Sequence, residues 1–396
     1  MMPTRATTNP ARLNIMRLIA GCAALNLTLL ALLLVSKARL NSDFMAFWAY
    51  PRFAAGAHPE WIYNAASLKA FEQKLYPGFH SFYPYIYPPP MLLALSWLKT
   101  LPFGAAELVW TALGVIALAL GTRALFPARP WAALAGLLAS PAALLCIATG
   151  QTGLFATALL LAGFAYLPKR PALAGVWFGL LTLKPQFGLL VAVFLLARDA
   201  RRCILTASLT TLVLAGAACL FLPATLWPLW LHAMPAYQNG YFQASHLNIA
   251  PVITPAANLA MLGAGPATIW AVQGLCGLMM IALTVWAARC VPYRLAVGIA
   301  LIASFLAQPH AYAYDSLSII AALALGLEAV PGKAMQALGS VTYLAPFLLL
   351  SAFSPWFFYS PLLAACLLAL IALAFSARKG ADSMHEPDPV LPPSTA

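Results

Sequence analysis

Acidic residues are scarce in this sequence: ten Asp and Glu among 396 residues, against 22 Lys and Arg. Charged residues make up 8% and apolar residues 63%, whereas about a quarter of a soluble domain is charged, so a soluble globular chain is excluded. C-x-x-C pairs and Cys/His metal spacings are missing as well. The seven cysteines stand alone within or beside apolar runs, which gives no disulfide framework and assigns no metal or other cofactor. The net charge of +12 would suit nucleic acid, but the basic residues are scattered between apolar runs and form no dense face. Nucleic acid is therefore not an expected partner; the lipid bilayer is.

What is present are apolar windows of span length, recurring from Leu18 almost to the C-terminus. They predict an all-α, polytopic membrane protein with about 11–13 transmembrane or re-entrant helices in one domain. No repeat of fixed period accompanies them. Leu18–Val35 is the first span, with Arg5, Arg12 and Arg17 before it, which places residues 1–17 in the cytoplasm and residues 38–86 outside. Ile19-Ala20-Gly21-Cys22 resembles a lipoprotein cleavage box. The apolar run lies mostly after that cysteine, so an uncleaved signal anchor is expected.

Charge alternation then lays out the rest. Basic residues cluster at Arg123/Arg129, Lys169/Arg170, Arg198/Arg201/Arg202, Arg289/Arg294, Lys333 and Arg378/Lys379. If these face the cytoplasm, the outer turns fall at Thr149–Thr152, Lys184–Gln186, 223–262, Gln308–Tyr314 and Ser354–Ser360. Lys37, Arg39, Arg52, Lys69 and Lys74 in the first loop oppose this orientation; the later clusters favour it. Residues 171–197 read as two half-helices broken at Lys184-Pro185, and 88–122 as a short helix, a break at Leu101-Pro102 and a full helix. The membrane domain is expected over 18–377, and the polar segment 378–396 as a disordered cytoplasmic tail. A multi-pass protein of the plasma (inner) membrane follows, with its site facing the periplasm or exterior.

Charge at membrane depth is expensive, so the few polar residues left on the outer side are functional candidates. By elimination the outer carboxylates are Asp43, Glu60, Glu72 and Asp315; Glu107 fits either side. Asp43 lies nearest the first span in NSDFMAFWAY, either as the N-cap of an interfacial helix starting near Phe44 or as a reactive carboxylate. Glu60 and Glu72, with Lys69 and Lys74 nearby, read as solvated or paired charges. Asp315, at the end of QPHAYAYD, would cap the next helix, orient His310 or face a cavity. Arg52 would snorkel to headgroups or meet an anion. Lys184 interrupts an apolar stretch in TLKPQ, and a buried ammonium needs a partner, for which an anionic ligand is suited. Gln151 in TGQTG and Gln186 after Lys184 add amides that both donate and accept. Tyr87 with Pro88-Pro89-Pro90 reads as a rigid, structural start to a helix.

In order, Asp-Phe-x-x-Phe-Trp at 43–48, YPPPMLLAL, TGQTGLF, AGVWFGLLTLKPQFGLL and QPHAYAYD resemble the family-87 glycosyltransferases over roughly residues 40–330. These are enzymes of the GT-C type, similar to the mannosyltransferases that extend phosphatidylinositol mannosides from polyprenyl-phosphate mannose. The resemblance implies an inverting transfer from a lipid-phosphate sugar on the outer face to a lipid or glycan acceptor. It puts the general base on Asp43, the anion-binding lysine on Lys184 and the histidine region on His310. Many such enzymes carry an acidic pair in the first loop. Here the neighbours are Ser42 and Phe44, which makes metal use less expected.

The chemistry suits these residues. Hydrolysis of a glycoside uses two carboxylates, one to protonate the leaving group. A polyprenyl phosphate leaves without a proton, so one carboxylate that takes the acceptor's proton suffices. Fixed cations, Lys184 and Arg52 here, would then meet the developing phosphate charge. Nucleotide-sugar transferases commonly hold a metal through Asp-x-Asp, and this sequence has no such triplet. Two other classes share these features: a transporter or flippase of lipid-linked sugars, which would show internal two-fold repetition, and a ligase or polymerase of surface glycans.

Overall fold

The computed structural model describes residues 10–35, 43–77, 82–242, 252–329, 333–349 and 359–383. Among them are eighteen α-helices, short 3-10 turns and one isolated bridge, Val252 to Tyr312. In chain order, α1 (Pro10–Val35) is followed by the first loop, which carries α2 (Phe44–Ala54) and α3 (Ala65–Leu75). Next come α4 (Pro90–Leu95), a 3-10 turn at Ser96–Thr100, and α5 (Phe103–Leu125), then α6 (Pro130–Leu138), α7 (Pro141–Thr149) and α8 (Gly153–Tyr166). α9 (Pro171–Gly179) and α10 (Gly188–Ala197) flank the 3-10 turns at Leu180–Leu183 and Pro185–Phe187, which form the expected break at Lys184-Pro185. α11 (Arg201–Phe221), α12 (Leu226–Phe242), α13 (Pro255–Met261), α14 (Pro266–Cys290) and α15 (Tyr293–Ala307) lead to α16 (Leu317–Ala329), α17 (Lys333–Leu349) and α18 (Tyr359–Ser383).

The protein is a polytopic, all-α membrane protein. Among the described residues, five helices are long and apolar enough to span alone: Leu13–Leu33, Phe103–Leu125, Arg201–Phe221, Pro266–Cys290 and Tyr359–Ser376. α6 and α7 meet at a bend of 64°, as a broken span or a re-entrant loop, and five further apolar helices are shorter. α18 runs to Ser383, beyond the expected start of the tail. Residues 1–9 and 384–396, and residues 354–358 of the last expected outer turn, lie outside the described residues.

Proline sets many of the helix starts. Pro130, Pro141, Pro171, Pro255 and Pro266 occupy first-turn positions, where a missing N–H costs no helical bond. Inside a bilayer, the carbonyls freed at a break need protein donors. At the α6–α7 bend, the amide of Asn26 donates to Ala139 O and Ser140 O at 3.0 Å each. The Gln273 amide donates to Leu306 O and Ala307 O at the end of α15, and its oxygen accepts from Ala256 N at the start of α13.

α15, buried from Leu295 to Ala307, is the central post of the main core, packed on α10, α14, α16 and α18. Arginines hold one end of the bundle. Arg198 donates to Ala288 O, Arg289 to Ala197 O and Arg294 to Leu125 O, each on the last turn of a helix, where the dipole favours a cation. A second, aromatic core joins the first loop to α4 and α5: Phe47 stacks on Trp110 at 5.7 Å and Tyr50 meets Tyr85 edge-on at 4.9 Å.

Candidate active site

α2 starts at Phe44, where the sequence places it, yet the Asp43 side chain makes no capping bond. Its Oδ2 accepts a 2.6 Å hydrogen bond from Gln151 Nε2. TGQTG is built to bring that amide there. α7 ends on Gly150 in the left-handed region, φ +70°, and a Cβ at that position would lie 2.4 Å from the Cβ of Phe44. Only glycine satisfies both demands. Trp110 Nε1 donates to Gly150 O at 2.9 Å and Cys146 Sγ to Gln151 O at 3.0 Å, which fixes the turn. On its other side, Gly153 lies against the Tyr314 carbonyl, where a Cβ would come within 2.4 Å. Asp43, TGQTG and QPHAYAYD thus form one cluster.

Lys184 is buried and its Nζ donates to Asp315 Oδ1 at 2.5 Å. Asp315 Oδ2 accepts from Tyr312 N, so the carboxylate also closes the loop ahead of α16. Lys184 further lies 5.3 Å from the ring centres of Phe187 and Tyr314. The QPHAYAYD loop is tied down from below: Ile253 N donates to Ala311 O and Thr254 Oγ1 to Pro309 O, both at 2.9 Å.

Two hollows meet at Lys184. One is an apolar groove of about 880 Å³ between α5, α8 and α9. It follows one face of α5 through Trp110, Leu113, Ala117, Leu120 and Ala124, about 21 Å at 1.5 Å per residue. Its far end reaches Arg123 and Tyr166. The other is a polar cavity of about 260 Å³ lined by Lys184, Gln186, His310 and Asp315 with Tyr87, Tyr237, Tyr312 and Tyr314.

Burial pushes the Asp43 carboxyl above the usual range, opposed by hydrogen bonds from Gln151 and the Tyr83 side chain. Burial, and then the nearby charge of Lys184, lowers His310 to about 4, so its imidazole is neutral at physiological pH. Its ring meets Tyr237 and Tyr312 edge-on at 5.7 and 4.9 Å. Among the described residues, no three His, Cys, Asp or Glu side chains converge as metal ligands.

The profile of glycosyltransferase family 87 matches residues 85–309, more than half of the chain. The protein belongs to glycosyltransferase family 87. No curated protein and no solved structure matches it. The matched segment of this glycosyltransferase holds Gln151, Lys184 and Gln186; Asp43 and Arg52 precede it, and His310 and Asp315 follow it.

Of the residues singled out in the sequence, the structure brings Asp43 to Gln151, and Lys184 to Asp315, His310 and Gln186. Arg52 stands apart. Its guanidinium donates to the carbonyls of Trp48, Leu98, Lys99 and Leu101 at 2.7–3.2 Å and stacks 3.4 Å from the Trp48 ring. That is a clamp between α2 and the 3-10 turn after α4, and it leaves the cation at the glycosyltransferase's cavity to Lys184. Glu72, expected to be a solvated or paired charge, is 1% exposed, and neither of its oxygens has a hydrogen-bond partner of good geometry among the described residues. Sequence reading missed Tyr87 as a cavity residue. Its hydroxyl feels the charges of both Asp43 and Asp315, and its carbonyl accepts from the Tyr63 hydroxyl at 2.9 Å. The only sign in the sequence was the density of tyrosines at 83–87 and 312–314.

Proposed function

We propose that this glycosyltransferase moves a hexose, with mannose the first candidate, from a polyprenyl-phosphate donor to a hydroxyl of a lipid or glycan acceptor. The transfer takes place in one inverting step on the extracytoplasmic face of the plasma (inner) membrane. The observation that carries this reading is the place of Lys184, at the junction of an apolar groove and a polar cavity. A polyprenyl-linked sugar has that shape: a long hydrocarbon, one phosphate and a polar ring. In this arrangement the chain lies along α5, the phosphate meets Lys184 and the sugar occupies the polar cavity.

Asp43 takes the proton of the acceptor hydroxyl, whose oxygen forms the new bond to the anomeric carbon. The bond from that carbon to the phosphate oxygen breaks, and its electron pair leaves with the polyprenyl phosphate. One negative charge thereby moves from Asp43 to the phosphate, which becomes a dianion beside Lys184. A fixed ammonium in a site poor in water stabilises that charge more than bulk solvent does. Neutral His310 and the tyrosines offer hydrogen bonds to sugar hydroxyls without adding charge. A nucleotide sugar fits less well, because its donor group has no hydrocarbon for the groove.

The test is purified protein given an acceptor extract and a hexose on either polyprenyl phosphate or a nucleotide. Transfer from the lipid-linked sugar alone is expected, and mass spectrometry of the product names the sugar. Transfer from the nucleotide sugar with no lipid intermediate would defeat the reading.

A further inference from the structure

The charges around the polar cavity do not balance once a donor phosphate is added. Among the described residues that line the two hollows, the Lys and Arg side chains are Lys184 at their junction and Arg123 at the far end of the groove. Lys184 already serves Asp315 at 2.5 Å, with both side chains buried. Asp43 brings a second carboxyl to the same place, since the hydroxyl of Tyr87, a residue of the cavity wall, feels the charges of Asp43 and Asp315 together. His310 is neutral there. With both carboxyls ionised, one ammonium faces two carboxylates, and a phosphodiester adds a third negative charge. Excess buried charge of one sign is strongly unfavourable, and a group able to gain a proton then does so.

Asp315 is the group placed to gain it. Burial works against its charge; Lys184 is the cation that holds it ionised, helped by a long hydrogen bond from Tyr312 N at 3.4 Å. The turn that carries it packs on α7, α8 and α17. α8 has no charged residue, and α17 has one, Lys333, at its start. The other titratable groups that face Asp315 are Cys146 of α7 and the phenols of Tyr87 and Tyr314, which are neutral near pH 7. We propose that Asp315 takes up one proton from water as the donor binds, so that the charge of Lys184 passes undivided to the phosphate. The inference rests on the donor reading above. It acts through space and requires no contact between Asp315 and the phosphate. During transfer the charge of the site stays constant, because the proton that reaches Asp43 is matched by the charge that reaches the phosphate. Donor affinity must fall as pH rises, since the donor-bound protein holds a proton that the free protein has released.

The experiment measures binding of a farnesyl-phosphate hexose to the full-length protein with no acceptor present. This phosphodiester keeps one negative charge across the neutral range, so any titration belongs to the protein. In Asp43→Asn, which removes the other carboxyl, the donor Kd is expected to rise with pH by up to about tenfold per pH unit, the slope of one proton. Calorimetry in two buffers of different ionisation heat should count that uptake. A protonated-carboxyl band should also appear in the donor-minus-free infrared difference spectrum. In the same background, Asp315→Asn should abolish both signals and His310→Gln should keep them. Among the described residues, Asp43→Asn leaves Asp315 as the one carboxyl lining the cavity, so the band assigns the proton even if Asp315→Asn fails to fold. Donor binding without proton uptake would overturn the proposal and leave the donor reading in place. So would uptake that survives in Asp315→Asn or vanishes in His310→Gln. A protein that binds no lipid-phosphate sugar at any pH defeats the donor reading, and this inference with it.

Discussion

Gln151 gives its side-chain amide to Asp43 across 108 residues of sequence, at 2.6 Å. The bond favours the charged carboxylate against the burial that raises its pKa, so in the proposed mechanism Gln151 would aim the base and oppose its protonation. Asp43→Asn should leave membrane insertion and the thermal midpoint intact while lowering turnover by about 10²–10⁴. Gln151→Ala should instead move the acid limb of the pH–rate profile to higher pH, because the carboxylate loses a donor and holds its proton more tightly. An Asp43→Asn protein of normal turnover, or a Gln151→Ala profile that does not move, would return Asp43 to a helix-start role.

The Lys184–Asp315 pair is buried on both sides, with side-chain exposures of 9% and 1%. Removing one partner strands the other charge, which costs about 3–5 kcal/mol in proteins generally. Lys184→Ala and Asp315→Asn should therefore both lower the thermal midpoint in detergent. The double variant Lys184→Met/Asp315→Leu should recover most of that loss, since an apolar pair of similar volume is often as stable. Its use of the donor should stay defective. A double variant with wild-type donor KM would remove Lys184 from the phosphate site.

Much of this was legible from charge economy. So few acidic residues lie outside the basic-rich turns that elimination left four, Asp43 and Asp315 among them, and the Lys184-Pro185 break showed as a polar interruption in an apolar run. The pairing was not legible: Lys184 and Asp315 are 131 residues apart, and tertiary packing brings them together, with the Asp315 turn seated on α7 and α8. Arg52 misled because a cation beside aromatics looks alike whether it meets an anion or the carbonyls of a neighbouring 3-10 turn.

Glu72 titrates in a way the fold itself should feel. It is buried in α3, and neither oxygen has a hydrogen-bond partner of good geometry among the described residues. Burial raises its pKa from the ordinary 4.5 to about 8, against a weaker opposing pull from the Tyr83 backbone. Between those two values the folded protein keeps a proton that the unfolded chain has released. Stability must then fall as pH rises from about 4.5 to about 8, by linkage. Melting curves in detergent should show that decline in the wild type and a flatter profile in Glu72→Gln. Equal slopes in the two proteins would mean that Glu72 is charged and partnered at neutral pH.

The groove along α5 makes a prediction of its own, separable from the chemistry at Lys184. Its middle is lined by small side chains, Ala117 of α5 and Ala162 of α8, where a bulkier residue would project into the hollow and leave the polar cavity untouched. Ala117→Trp and Ala162→Trp should block the path of a long hydrocarbon, and they differ from Lys184 variants because the phosphate-binding end is intact. The expected result is a strongly raised KM for a donor with a full-length polyprenyl chain, while a donor with a chain short enough to end above Ala117 keeps its wild-type kinetics. Comparing a short prenyl-phosphate sugar with a long one in the same purified proteins measures this. If both donors suffer equally, the tryptophans have disturbed the packing of α5 on α8 and the melting curve should show it. If neither suffers and the protein melts as wild type, the hydrocarbon does not lie along α5, and the donor must reach Lys184 by another face.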